Sequence, residues 1–275
     1  MRTRTRTTET VQPWSRARLQ ALLAAAAVAT VGLLAGVAIL IASSVHPDTV
    51  VGGGAPPGGG FGTPPPASPR DTIAAAPMAI LDPEAATRPD PALTPAPPIH
   101  LPDATVGRGP AGIPIYPHTT EGALAQLAAI DVAILEAMDT GYTAEVHQAW
   151  VLAGAPTLED WDLAINVAAF LRGAHQAAAK DPSTTVTVIP AGGQVKGTDG
   201  PDWVLACVLL DVQASIRAEY RMGWGHCVRM QWADNRWQVA PGTPPAPAPS
   251  AWPGSKAAAA AGWLTWTSAE QEAVR

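Results

Sequence analysis

The stretch Trp203-Val204-Leu205-Ala206-Cys207-Val208-Leu209-Leu210-Asp211-Val212-Gln213, followed after a short gap by Tyr220-Arg221-Met222-Gly223-Trp224-Gly225-His226-Cys227-Val228-Arg229-Met230-Gln231-Trp232, decides the fold. Taken as two antiparallel strands turning near Arg217, these runs set Cys207 directly opposite Cys227. The same register pairs Val204 with Met230, Ala206 with Val228, Leu210 with Trp224 and Val212 with Met222. All of those residues are apolar and share one face. The other face pairs Gln213 with Arg221 and Asp211 with Gly223, and sets Leu205 against Arg229. A slip of one residue mixes the faces, whereas a slip of two does not. The pattern therefore fixes the parity, and the cysteines select among the even registers. Directly opposed residues have Cα atoms about 4.5–5.5 Å apart, within disulfide reach, so a Cys207–Cys227 bridge is predicted.

Working back from this hairpin, Thr185-Val186-Thr187-Val188-Ile189 alternates as a strand ended by Pro190, with a turn at Gly192-Gly193. Before it the period changes to that of helices. Leu124, Leu127, Ile130, Ile134 and Met138 form one apolar stripe after Thr119 or Thr120, with Gly141 as the stop. A shorter helix is expected over Tyr142 to Leu152. A third starts at Thr157 with Asp160 in the capping-box position and carries Trp161, Ile165, Ala168 and Leu171. Working forward, Trp237-Gln238-Val239 is a short strand, Pro241 to Pro253 a proline-rich break, and Ser255 to Trp266 a short helix with Trp263 and Trp266. Helices followed by an antiparallel meander give an α+β class: three helices packed on a curved antiparallel sheet, cone-like.

The N-terminal quarter has a different character. Leu19 to Val45 contains no Asp, Glu, Lys or Arg, and Leu22 to Ile41 is apolar except for Thr30. Twenty helical residues rise about 30 Å, the hydrocarbon thickness of a bilayer, whereas the apolar core of a cleaved signal peptide spans roughly 7–15 residues. A retained transmembrane helix is therefore expected. Arg2, Arg4, Arg6, Arg16 and Arg18 precede it against Glu9 alone, which keeps the N-terminus inside and sends the rest of the chain out. The outward location agrees with a disulfide.

Between anchor and domain, residues 47–117 hold 18 of the 29 prolines, with Gly52-Gly53-Gly54 and Gly58-Gly59-Gly60, and are expected to be a disordered linker. The organisation is thus a cytoplasmic basic tail (1–18), a transmembrane helix (19–45), a Pro/Gly/Ala-rich linker (46–117), an extracytoplasmic α+β domain (118–241), and a Pro-rich break with a Trp-containing helix (242–275).

Residues 118–275 carry nine basic and sixteen acidic side chains, which argues against direct binding of nucleic acid. No Gly-x-Ser-x-Gly elbow, His-Glu-x-x-His helix or dinucleotide fingerprint occurs, and no cofactor, metal or catalytic residue is expected. His226 has no second soft pair to form a metal site and reads as packed or hydrogen-bonded. Glu159, Asp160 and Asp162 suit a helix start. A small acid–base enzyme is the minor alternative, with Asp211 and Tyr220 as pocket candidates, although Asp211 points away from the face carrying Tyr220. Trp252, Trp263 and Trp266 either clamp the C-terminal helix or form a partner surface.

The layout of tail, single anchor, linker, three helices and curved sheet resembles the inner-membrane assembly factors of type IV secretion and conjugation machines, whose outer domain has the nuclear-transport-factor-2-like cone fold. Ile115-Tyr116-Pro117-His118-Thr119-Thr120-Glu121-Gly122-Ala123 and Gly225-His226-Cys227-Val228-Arg229-Met230-Gln231-Trp232 are similar to stretches in membrane-anchored proteins of high-GC Gram-positive bacteria. The resemblance implies a non-enzymatic, single-pass scaffold in the cell membrane that binds other envelope, secretion or conjugation proteins, and it is compatible with a homo-oligomer. The alternative expectation is an extracytoplasmic module for a cell-wall or small-molecule ligand.

Overall fold

The computed structural model describes residues 67–268. The expected tail and transmembrane helix lie outside the described residues, and no helix within them is long and apolar enough to cross a membrane. The described chain is mixed α+β, with a curled, mostly antiparallel half-barrel sheet and several helices.

The hairpin forms in the register argued above. Strands β3 (Trp203–Ser215) and β4 (Glu219–Ala233) set Cys207 against Cys227, Val204 against Met230, Leu210 against Trp224 and Asp211 against Gly223. Cys207 and Cys227 are bridged, with Cα atoms 4.0 Å apart. β2 (Thr185–Thr198) pairs with β3 and runs past Pro190, where the sequence suggested a stop. The ring is accommodated at a register shift between Pro190 and Gly192. Among the described strands, β2 pairs on its other side only at Gly192 and Gly193, with β6 (Leu264–Ser268). Over Thr185–Ile189 the open edge is guarded in part by Glu136, whose Oε1 accepts the Val188 N–H at 3.0 Å. β1 (Pro98–Leu101) lies parallel to β6, and β5 (Arg236–Val239) closes the far side, giving the order β1-β6-β2-β3-β4-β5.

Helix α1 (Pro69–Ala75) precedes β1. Of three longer helices, α2 (Thr120–Ala137) lies on the sheet, while α3 (Thr140–Trp150) and α4 (Asp162–Gly173) pack with it in the same core. Thr119 caps α2 by accepting the Gly122 N–H at 3.0 Å. Gly122 is obligatory, because a Cβ there would lie 2.0 Å from the Pro117 carbonyl oxygen. α2 stops at Met138 (φ 42°) rather than at Gly141, since the Asp139 carboxylate already caps α3 through Tyr142 N–H. Thr157 and Asp160 bond each other in a preceding turn, and α4 begins at Asp162, two residues beyond the expected capping box.

Even-numbered residues of β3 (Val204, Ala206, Val208, Leu210) meet Leu124, Leu127, Ile130 and Ile134 in the main core. The odd-numbered face is buried as well: Trp203 to Asp211 is inaccessible on both sides. Its cover comes from segments that composition had assigned to disorder or to a break.

The linker expectation is corrected over 67–117. Ile73 on α1 packs with Trp203, Leu205 and Ala240, while Met78 and Leu81 pack on the cluster around the disulfide. Arg70 pairs with Asp199 at 2.6 Å and Asp71 with Arg229 at 2.5 Å. Farther on, Ile113 enters the main core. A chain segment without periodicity cannot form a core of its own, yet it can lie on one made by others.

The C-terminal expectation is corrected likewise. Only Lys256–Ala260 (α5) is helical; Gly262 turns at φ 84°, and Leu264–Ser268 becomes a strand. Proline-rich chain at 249–251 crosses directly over β4. A Cβ on Gly223 would lie 1.8 Å from Ala251 O, and one on Gly225 2.8 Å from Pro249 O, so these two glycines admit the crossing.

Candidate functional site

The stripe Leu124, Leu127, Ile130, Ile134 that seats α2 on the sheet includes one acid. Asp131 stands four residues after Leu127, on the same face, and is completely buried. The residue it meets is His226, on the concave side of β4 and 6% exposed. Nδ1 of His226 lies 2.9 Å from Asp131 Oδ2 and 3.1 Å from Oδ1. Two carboxylate oxygens facing one nitrogen assign the hydrogen to Nδ1, which donates to the carboxylate. Trp224 lies nearly parallel to the imidazole, with centroids 4.8 Å apart and planes 20° apart, and fixes the ring plane.

The two groups alter each other's protonation. Burial pushes the Asp131 carboxyl up, against the lowering effects of the His226 charge and hydrogen bond, and Asp162 adds to the upward push. For His226, burial alone would favour the neutral ring. The charge of Asp131 and the bond to it outweigh that, Asp162 contributes, and the imidazole is raised above its ordinary value. Both shifts mean that the pair retains a proton to higher pH than its members would in water.

The other ring nitrogen is differently placed. His226 Nε2 accepts or donates no hydrogen bond among the described residues. The fully buried, unpartnered side-chain polar atoms among those residues are Gln176 Oε1 and Arg236 Nε. The buried carboxylate at Nδ1 and the stacked Trp224 together fix the tautomer and orientation of the imidazole.

The residues singled out from sequence fall elsewhere. Asp211 is buried on the outer face, bound by Arg221 through two bonds of 2.8 and 2.6 Å, and Arg221 lies over the Trp252 ring at 4.7 Å. Tyr220, 51% exposed, stands at the hairpin end opposite Ala214. Asp211 and Tyr220 are thus not brought together. Trp263 is not part of any surface: it is buried in the outer cluster and donates from Nε1 to Pro249 O at 3.0 Å. Trp252 and Trp266 are half-buried. His147 bonds the Pro156 carbonyl and packs edge-on to Trp161, and no three His, Cys, Asp or Glu among the described residues are grouped to hold a metal ion. Asp131 escaped sequence reasoning, although an acid on an otherwise apolar stripe was its signal.

No protein-family model, no curated protein and no solved structure matches this chain.

Proposed function

We propose that the chain is a membrane-tethered scaffold of an envelope, secretion or conjugation complex, with an outward-facing domain of the nuclear-transport-factor-2-like kind. The observation that carries this is the Cys207–Cys227 bridge downstream of the charge-free Leu19–Val45 segment. A disulfide persists where thiols are not kept reduced, which is the side to which a basic-tailed anchor delivers its C-terminus. The curled sheet with α2 lying on it suits a cone. Both faces of β3 are covered, which leaves strand edges, loops and half-buried aromatics such as Trp252 and Trp266 as the surfaces for partners. Docking of residues 67–101 shortens the tether to the 21 positions 46–66, a contour of at most ~75 Å.

Photo-crosslinking from positions 252 and 266 in intact cells, followed by purification from membranes, tests this. Recovery of envelope or secretion components, lost when the anchor segment is replaced by a soluble leader, is the expected result. Recovery of none of them would refute the scaffold.

A further inference from the structure

The Cys207–Cys227 bridge lies on the outer face of the β3–β4 hairpin, at the seam between the two segments that cover that face. The C-terminal crossing is seated tightly on one side of it, with its backbone against Gly223 and Gly225. Residues 68–82 come over from the other side and reach the bridge with Met78, whose Sδ lies 3.4 Å from Cys227 Sγ. Cys207 is wholly buried and Cys227 is 8% exposed, so Met78 sits against the more accessible half of the bridge.

This N-terminal segment is held by a few discrete contacts. Arg70 pairs with Asp199 at 2.6 Å and Asp71 with Arg229 at 2.5 Å. Ala74 O accepts from Lys196 Nζ at 2.8 Å and from the Ala246 N–H at 2.9 Å. Ala74 alone is buried among residues 68–82, whereas Trp203 to Asp211 of β3 is buried throughout. Local opening of the segment therefore costs far less than opening of the sheet.

We propose that residues 68–82 are a gate over a thiol–disulfide exchange site, with Cys227 as the sulfur that a small dithiol attacks when the segment lifts. Lifting does two things at once: it withdraws Met78 from Cys227 and Asp71 from Arg229. Arg229 stands two positions beyond Cys227 on the same face of β4. Losing its carboxylate leaves an unpaired cation beside the sulfur, which draws a thiolate. The thiolate bonds to Cys227 Sγ as the Cys227–Cys207 bond breaks; the electron pair goes to the Cys207 sulfur, which takes a proton. The second thiol of the reagent then displaces Cys227 from the mixed disulfide, leaving two thiols in the protein and a disulfide in the reagent. The gate concerns only the outer face and stands apart from the scaffold role.

Dithiothreitol is the probe. The folded, full-length protein is exposed to it, quenched by alkylation and counted for free thiols by mass spectrometry. The slowing of reduction relative to oxidised glutathione should match the hydrogen-exchange protection of the Ala246 amide, which bonds to the segment. It should fall well short of the protection of the β3 amides. Slowing equal to that of β3 would mean that the bridge is reached only by unfolding, and would overturn the gate. Reduction as fast as that of glutathione would overturn it as well, and neither result needs a variant to fold. Asp71→Ala loosens the segment but keeps Arg229, and should speed reduction about tenfold with a parallel rise in exchange at Ala246. Faster exchange at Ala246 with an unchanged reduction rate would detach the segment from the site and contradict the proposal.

Discussion

Arg229 Nη2 lies 2.5 Å from Asp71 Oδ1, joining the outer face of β4 to a segment that precedes it by 158 residues. Arg229 is 4% exposed, and its guanidinium also donates from Nε to Thr243 O at 2.8 Å. One buried arginine thus holds both the N-terminal segment and the start of the C-terminal crossing.

Arg229→Gln should free residues 68–82 without unfolding the sheet. Hydrogen exchange at Thr72 and Ala76 should rise while that of β3 stays protected. The contact is also pH-dependent. Hydrogen bonds from Ser68 and then Arg229 lower the Asp71 carboxyl from 3.8 to about 2, so its contribution is present above 3.8 and disappears as pH falls through about 2. Release of the segment on acidification should follow that window, and exchange rates measured between pH 5 and pH 2 check it.

Protonation of the core pair has the opposite sign. Both His226 and Asp131 are raised, so the folded domain binds more protons than the unfolded chain. Stability from His226 is fully present below its ordinary value and is lost as pH rises through its higher folded value. Thermal midpoints should therefore fall on going from pH 6 to pH 9. Replacing both residues (Asp131→Asn with His226→Gln) should flatten that slope. Asp131→Ala alone strands the imidazole and should cost about 2–3 kcal/mol at neutral pH.

Gly223 admits the backbone of Ala251, and no side chain can replace its hydrogen without moving that segment. Gly223→Ala should lower stability by about 1–3 kcal/mol and expose Trp263. Gly173, where a Cβ would meet nothing within 4 Å, is the control. Urea midpoints followed by tryptophan fluorescence distinguish the two.

Reduction of Cys207–Cys227 removes a link across 20 residues of chain. The loss should be about 3 kcal/mol, read as a lower urea midpoint in the presence of reductant.

The hairpin was legible because two independent signals, an alternating apolar face and a cysteine pair, converge on one register for Val204 to Met230. The helices were legible from their stripes, while their ends were not: Asp139 supplies the cap, although Gly141 looks like the stop, and Trp161 precedes α4 without a capping side chain. The segments over the outer face left no periodic trace. Asp71, Ile73 and Met78 find partners more than a hundred positions away, and proline-rich composition is the same whether such chain is docked or free. Ala-rich sequence before Trp263 extends a helical pattern that Gly262 ends. Asp131 and His226 are 95 residues apart, so each looked ordinary alone: one an acid on a helix, the other a neighbour of a cysteine.

Protease treatment of intact cells making the full-length protein tests the outward, tethered placement most directly. Digestion of the 67–268 region, with the N-terminal tail protected and retained in the membrane fraction, is the predicted result. A domain untouched until the cells are broken, or a full-length chain recovered in the soluble fraction, would contradict it.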